Sequence, residues 1–421
     1  MTDPRETSRR EVERAARHSY GKLLAFLAAR TGDVAAAEDA LSESFAAALA
    51  VWPRQGVPRS PEAWLMTVAR RKAIDAVRRD RTHEAAVDPL RVLAEAAQTT
   101  EDAAPDVSDD RLRLMFACAH PAMEASVRAP LILQTMLGFD AGTIASAFLI
   151  APAAMSQRLV RAKRKIRDAA VPFRVPDPDE LSERLGSVLE AIYTVFAEGW
   201  TDPAGTVERR RGLTEEAIWL GRLVASLLPN EPEALGLLAL MLHAEARRTV
   251  RRDADGGYVP LSAQDPRQWD AGLIREAEAL LLKASAANRI GRFQLEAAVQ
   301  SAHAARRLTG QTDWVAIVAL YDALLAETGS PVVAINRAAA IGELRGATAG
   351  LAALDGLAND DRLIDYQPYW AARGVLLART GETDAADQAF ERAIGLEPEP
   401  AVRRFLQRQR VDCRPRSGTP D

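Results

Sequence analysis

A chain of 421 residues is too long for one compact core and predicts roughly two to four domains. It is 48% hydrophobic and 27% charged. Its two cysteines, Cys118 and Cys413, exclude a disulfide framework and a zinc ribbon and suggest a reducing compartment, and no apolar run nears the roughly 20 residues of a membrane span. The net charge of −4 is unevenly spread, at +4 over residues 1–82, −7 over 83–110, +6 over 111–172 and −7 over 173–421, so two basic blocks flank an acidic connector, as in chains that touch nucleic acid with one part.

Nearly the whole chain reads as helix, because apolar residues recur at i, i+3 and i+4 with no alternating strand pattern. The start, Met1 to Glu6, lacks the apolar run of a signal peptide, so a cytoplasmic protein without a membrane partner is expected. In the first module, 8–82, a helix from about Ala35 to Ala50 places Ala37, Leu41, Phe45, Ala48 and Leu49 on one face. Glu38, Asp39, Ser42 and Glu43 lie mostly outside that face, near the N-terminus where acids suit the helix dipole.

The next helix, Pro61 to about Arg79, gathers Leu65, Met66, Ala69, Ala73, Ala76 and Val77 on one side. Trp64, Val68, Arg71, Asp75, Arg78 and Arg79 fall on the other, flanked by Arg70 and Lys72. An aromatic ring inside a basic stripe suits single-stranded nucleic acid, since cations hold phosphates and a flat ring stacks on an unpaired base. A solvated charged face with Trp64 packed on a neighbouring helix fits the same periodicity.

Residues 83–108 are acidic, hold Pro89 and Pro105, and carry few large apolar residues after Leu93, which predicts a flexible linker. In the second module, 109–171, the stretch Phe139 to Ile166 reads as helix–turn–helix. Ala145 sits at the crossing, Pro152 opens the second helix, and Met155, Leu159, Ala162 and Ile166 form its buried stripe. Gln157, Val160, Arg161 and Arg164 face away, with Ala153 and Ser156 near the N-terminal end, so this face can enter a major groove, where Arg matches guanine and Gln adenine.

Pro172, Pro176 and Pro178 forbid a continuous helix and define a linker at 172–178. Beyond it, 179–410 shows helical repeats. Trp370, Gly374, Ala386, Phe390, Ala393 and Pro398 match the tetratricopeptide (TPR) spacing, with Arg373 and Leu377 departing from it. Stacked hairpins of this kind leave a concave surface for a protein or peptide ligand. A disordered tail is expected at 411–421. There is no Walker loop, no G-x-S-x-G and no H-E-x-x-H, so the chain reads as a non-enzyme without cofactor or metal, and Cys118 and His120 as structural residues.

The order of parts resembles a bacterial sigma factor. Ala37 to Phe45 is similar to conserved region 2.2, with departures at Ala40, Ser42 and Ser44. Trp64 to Arg79 is similar to regions 2.3 and 2.4, and Gln157 to Ala162 to region 4.2. The chain as a whole, over about 8–410, resembles an extracytoplasmic-function (ECF) sigma factor of the sigma-70 family with a TPR-like C-terminal extension. Glu231 to Met241 and Ser330 to Arg337 are stretches typical of that extension.

The resemblance implies an all-α fold of three parts: a region 2 bundle, a region 4 helix–turn–helix and a helical-repeat domain. It implies docking of Glu38, Asp39, Leu41, Glu43 and Phe45 on the β′ clamp helices of core RNA polymerase, with the β flap as a further contact. Arg59, Trp64, Arg70, Arg71, Lys72, Asp75, Arg78 and Arg79 would melt and capture the −10 element, helped by a loop at about Gln55 to Pro61. Ala153, Ser156, Gln157, Arg158, Val160, Arg161 and Arg164 would read the −35 element. A helix–turn–helix regulator or a TPR adaptor that is no longer a sigma factor is the alternative, and the Trp64 stripe with its acidic neighbour helix separates the two readings.

Overall fold

The structure, a computed structural model, describes residues 4–80, 108–148, 150–200 and 212–413. The described residues are α-helical with short 3-10 turns, and the one pairing of extended backbone among them is an isolated bridge between Arg252 and Tyr258. The all-α expectation holds. The chain forms two compact units that divide at Leu227–Leu228.

The first unit is built around helix α1, Pro4–Thr31. Leu23, Leu24, Ala25, Phe26, Leu27 and Ala28 are all buried, and six consecutive buried positions mean that the helix is enclosed on every side. Helices α2, Val34–Gln55, and α3, Pro61–Asp80, cover it from one direction, and α4, Ser108–Cys118, and α5, Ala125–Leu137, from another. A Cβ at Gly21 would lie 2.3 Å from the carbonyl oxygen of Met136, so only glycine lets α1 approach α5 this closely. Asp110, almost fully buried, pairs with Arg30 at 3.0 Å and with Arg113 at 2.8 Å.

Helix α6, Ala141–Ala147, and helix α7, Pro152–Asp168, make the helix–turn–helix. Ile144 and Ala145 are buried at the crossing, and the Ile150 amide donates to the Ala145 carbonyl at 2.8 Å to close the turn. The proline-rich segment 172–178 lies inside the first unit, with Val171 and Pro176 buried. Helix α8 starts at Pro178 and runs to Trp200, and α9 spans Leu213–Leu227. α8 lies on α4 and α5, where Arg128 donates to Ser187 Oγ at 3.2 Å and Arg184 to the Phe116 carbonyl at 3.3 Å. The first two helices of the 179–410 stretch therefore pack with the N-terminal modules. The expected linker 83–108, apart from Ser108, and the tail from 414 lie outside the described residues.

The second unit begins with α10, Pro232–Glu245, whose residues from Ala234 to Ala244 are all buried between α11, Ala271–Ser285, and α12, Arg292–Thr309. The Glu233 carboxylate accepts from the Phe293 and Gln294 amides at 3.0 and 3.1 Å, satisfying donors at the start of α12 that no helix supplies with partners. Then follow α13, Trp314–Thr328; α14, Pro331–Arg345; α15, Ala347–Asp355; α16, Gln367–Thr380; α17, Thr383–Leu396; and α18, Pro400–Asp412. Each packs on its chain neighbour, as in a stack of hairpins. Phe390 presses against Gly374, where a Cβ would lie 2.9 Å from the ring, and Ala386, Ala389 and Ala393 are buried beside it. All of these but Ala389 are residues of the TPR-spaced set, and Leu377, at a departing position, is buried with them.

Candidate polymerase and nucleic-acid interface

Helix α2 starts where the Asp33 side chain accepts from the Ala35 and Ala36 amides at 2.9 and 3.1 Å. Ala37, Leu41, Ser44 and Ala48 are buried against α1, and Phe45 is half-buried with its ring stacked on Tyr20. Asp39, Ser42 and Glu43 are exposed, as their place outside the apolar face requires. Two positions differ from the helical-wheel expectation. Leu49, assigned to the buried face, is 49% exposed, because the buried stripe passes through Ala48 and Trp52 and leaves Leu49 at its edge.

Glu38, read as mostly outside the apolar face, is largely buried, and its Oε2 accepts a bond from Lys163 of α7. Its Oε1 is buried and has no hydrogen-bond partner. Burial raises the Glu38 carboxyl above its ordinary value, and the Lys163 ammonium only partly opposes this. Arg167, one turn on from Lys163, reaches the Asp33 carboxylate at 3.5 Å. Cys118, fully buried behind this region, has its thiol pushed up to about 12 by burial and lies beside Thr135 Oγ1 at 3.4 Å.

Helix α3 buries Leu65, Ala69 and Ala73 and is fixed at its start by Glu62, which accepts from Ser19 and from Lys22, the latter at 2.9 Å. Trp64 is half-buried and packs edge-on against the fully buried Trp52, with ring centroids 5.5 Å apart. Its ring is therefore held from one side and still reachable from the other. Arg70 lies over the Phe26 ring at 4.5 Å, which with its neighbour Arg30 forms a cation–aromatic stack. Lys72 pairs with Glu43 of α2 at 2.9 Å, joining one residue expected at DNA to one expected at polymerase. Arg59, Arg71 and Asp75 are exposed, and the side chains of Arg78 and Arg79 lie outside the described set.

Helix α7 follows the sequence pattern closely. Met155, Leu159, Ala162 and Ile166 are buried, while Ala153, Ser156, Gln157, Arg158, Val160, Arg161 and Arg164 are exposed. Among the described residues, Arg158, Arg161 and Arg164 have no ion-pair partner, so this face carries three uncommitted guanidinium groups. Lys163 was missed by the sequence reading. Its signal was its position four residues after Leu159, at the edge of the buried stripe, where a long cationic side chain reaches whatever covers that stripe.

Among the described residues no group of His, Cys, Asp or Glu is placed to hold a metal ion, and no helix is long and apolar enough to cross a membrane. His120 Nδ1 accepts from the Ala122 amide at 3.1 Å.

The model for Sigma-70 region 2 matches residues 15–83, which hold most of α1 and all of α2 and α3. A second model, a family of unknown function (DUF6596), matches residues 184–285, running from α8 into the second unit. An uncharacterized protein of Rhizobium meliloti (strain 1021) is 40% identical over 378 residues, which is 89% of this chain and 89% of that protein. No solved structure matches the chain.

The match at 15–83 covers both the acidic helix α2 and the Trp-bearing helix α3. A Sigma-70 region 2 domain at residues 15–83 supports a factor of the sigma-70 family, a family of non-enzymatic transcription-initiation factors, and such a domain implies binding to core RNA polymerase and promoter DNA.

Proposed function

We propose that the protein is an ECF-type sigma factor that directs promoter-specific initiation and whose C-terminal, TPR-like extension controls its activity. The match of Sigma-70 region 2 to residues 15–83 carries this reading, because those residues include both the acidic helix α2 and the Trp64 stripe. Asp39 and Glu43, exposed on α2, are the polymerase-facing acids, with half-buried Phe45 beside them, while Leu41, expected at the same surface, is fully buried and holds α2 on α1 instead. Arg59, Arg71 and the free side of Trp64 serve the melted −10 element, where stacking on an aromatic ring is worth about 1–3 kcal/mol per base. The exposed face of α7 serves the −35 element, with Gln157 and Arg161 at base edges and Arg164 at phosphate. The protein acts where core polymerase is, in the cytoplasm.

The test is transcription from a promoter library by purified core polymerase with and without the protein. Protein-dependent transcripts sharing a −35 and a −10 sequence are expected. Asp39→Arg, an exposed charge reversal, is expected to weaken core binding with little change in stability. Equal core affinity for Asp39→Arg and wild type would overturn the assignment of α2. A protein that binds DNA through α7 but does not bind core would be a helix–turn–helix regulator instead.

A further inference from the structure

A factor whose two DNA-reading modules touch cannot occupy both promoter elements. The −35 and −10 elements are separate stretches of one duplex, so reading both requires the two modules to stand apart along the DNA. Here α2 and α7 are in direct contact through Glu38 and Lys163, α1 and α5 through Gly21 and Met136, and α1 and α4 through Arg30 and Asp110. The chain between Asp80 and Ser108, residues 81–107, can reach roughly 90 Å when fully extended, so covalent connectivity permits separation.

We propose that Glu38 is shared between two mutually exclusive partners. In the free protein it latches the region 4 helix α7 onto the region 2 helix α2 through Lys163, and on core polymerase it is released to the docking surface, so that docking and separation of the modules are one event. The proposal rests on the assignment of regions 2 and 4 made above.

Three features make this contact a latch rather than ordinary packing. The first is placement. Glu38 belongs to the docking motif, and of that motif's carboxylates it is the one paired across the seam with α7, where its side chain is only 14% exposed. The second is incomplete satisfaction. Oε2 has Lys163, but Oε1 is buried without a partner, so the closed state carries an uncompensated desolvation cost that release removes. The third is support on both sides. Arg167 reaches Asp33 at the same seam, and α8 holds α4 and α5 through Arg184 and Arg128, so the closed module pair already includes the first helix of the extension. A competitor that binds only the separated form reads an affinity lowered by the fraction of molecules that are open.

Three full-length variants test this, none at a residue assigned to polymerase or DNA. Lys163→Glu places like charges across the seam. Gly21→Ala leaves every charge in place, improves the intrinsic helix propensity of α1, and drives a Cβ into the Met136 carbonyl. Lys163→Arg keeps the pair. Core affinity is measured by competition binding, and the radius of gyration of the free protein by small-angle X-ray scattering. Lys163→Glu and Gly21→Ala are expected to bind core about tenfold more tightly and to expand, and Lys163→Arg to stay within about twofold of wild type.

If both opening variants keep wild-type helicity, affinity and radius of gyration, the latch is wrong although the sigma assignment stands. If neither wild type nor any variant binds core, the sigma assignment fails and the shared-residue proposal fails with it.

Discussion

At the seam between α2 and α7, Glu38 meets Lys163 and Asp33 meets Arg167, while a carboxylate oxygen stays buried and unbonded. At the seam between α16 and α17, Gly374 receives the Phe390 ring and Ala386, Ala389 and Ala393 fill in around it. The apolar seam gains free energy in proportion to the area it buries, and every methylene is felt because the packing is tight. The charged seam sets a Coulomb gain against the dehydration of both ions, and the two nearly cancel. The difference teaches where a helical protein of this kind is built to stay closed and where it can part.

The comparison can be broken most sharply in the second unit. Phe390→Ala is expected to cost about 3–5 kcal/mol, since it removes a fully buried ring and leaves a cavity against Gly374. Hydrogen exchange in α16 and α17 should rise while that of α1 to α7 stays near wild type. Equal protection across the hairpin would mean that the repeat seam is no tighter than the charged one.

Acid should also separate the two. His243 in α10 is buried, and burial, with Arg247 beside it, pulls its imidazole down to about 4. Glu278 stands 3.4 Å from Nε2, but it is half-exposed and accepts from Ser301, so it does not offset the burial. The folded state therefore keeps His243 neutral while the unfolded chain protonates near 6.5. The stability that depends on this is complete above that value and is lost as pH falls toward about 4, at roughly 1.4 kcal/mol per unit. A denaturant series between pH 7 and 4 should show this loss, and His243→Gln should reduce its slope, leaving the part due to His303, whose imidazole burial also pulls down to about 4. An unchanged slope would remove His243 as its source.

At the exposed face of α7 a smaller, sequence-dependent effect is expected. Arg161→Ala should cost about 1–3 kcal/mol of −35 affinity and relax one base position, whereas Arg164→Ala should weaken all sequences alike and reduce the salt dependence. Competition assays on single-base variants of the −35 element distinguish these outcomes, and an unaltered preference in Arg161→Ala would remove it from the base-reading set.

The smallest effect is expected at the exposed pair Lys72–Glu43, where both side chains are about half in water. Its loss in Lys72→Met should change stability by less than about 1 kcal/mol, because solvent and salt screen it. A larger change on urea titration would mean that α2 and α3 rely on charge as well as on the buried Leu41, Leu65 and Ala69.

Local pattern was enough to place the helices. Proline marks helix starts at Pro61, Pro152, Pro178 and Pro331, and the stripe Met155, Leu159, Ala162, Ile166 follows from a period of 3.6 residues alone. The exposed face of α7 was legible for the same reason, since a residue opposite a buried stripe has nowhere to point but solvent. Trp64 was legible only as a choice between stacking on a base and packing on a helix. The structure holds one side of it on Trp52, a residue no helical wheel connects to it.

The sequence by itself determined an all-α chain, an acidic helix beside a basic aromatic stripe, a helical pair with cations on its outer face, and a TPR-spaced hairpin, because each of these is written in local patterns of neighbouring residues. Tertiary structure alone decided that Glu38 is buried, that Lys163 holds it, that Gly21 seats α1 on the Met136 carbonyl, and that the first helices beyond the proline-rich segment pack with the N-terminal modules. The physical reason is distance along the chain. Glu38 and Lys163 are 125 residues apart, and a periodicity measured over a few turns of one helix says which face is covered but not which distant side chain covers it.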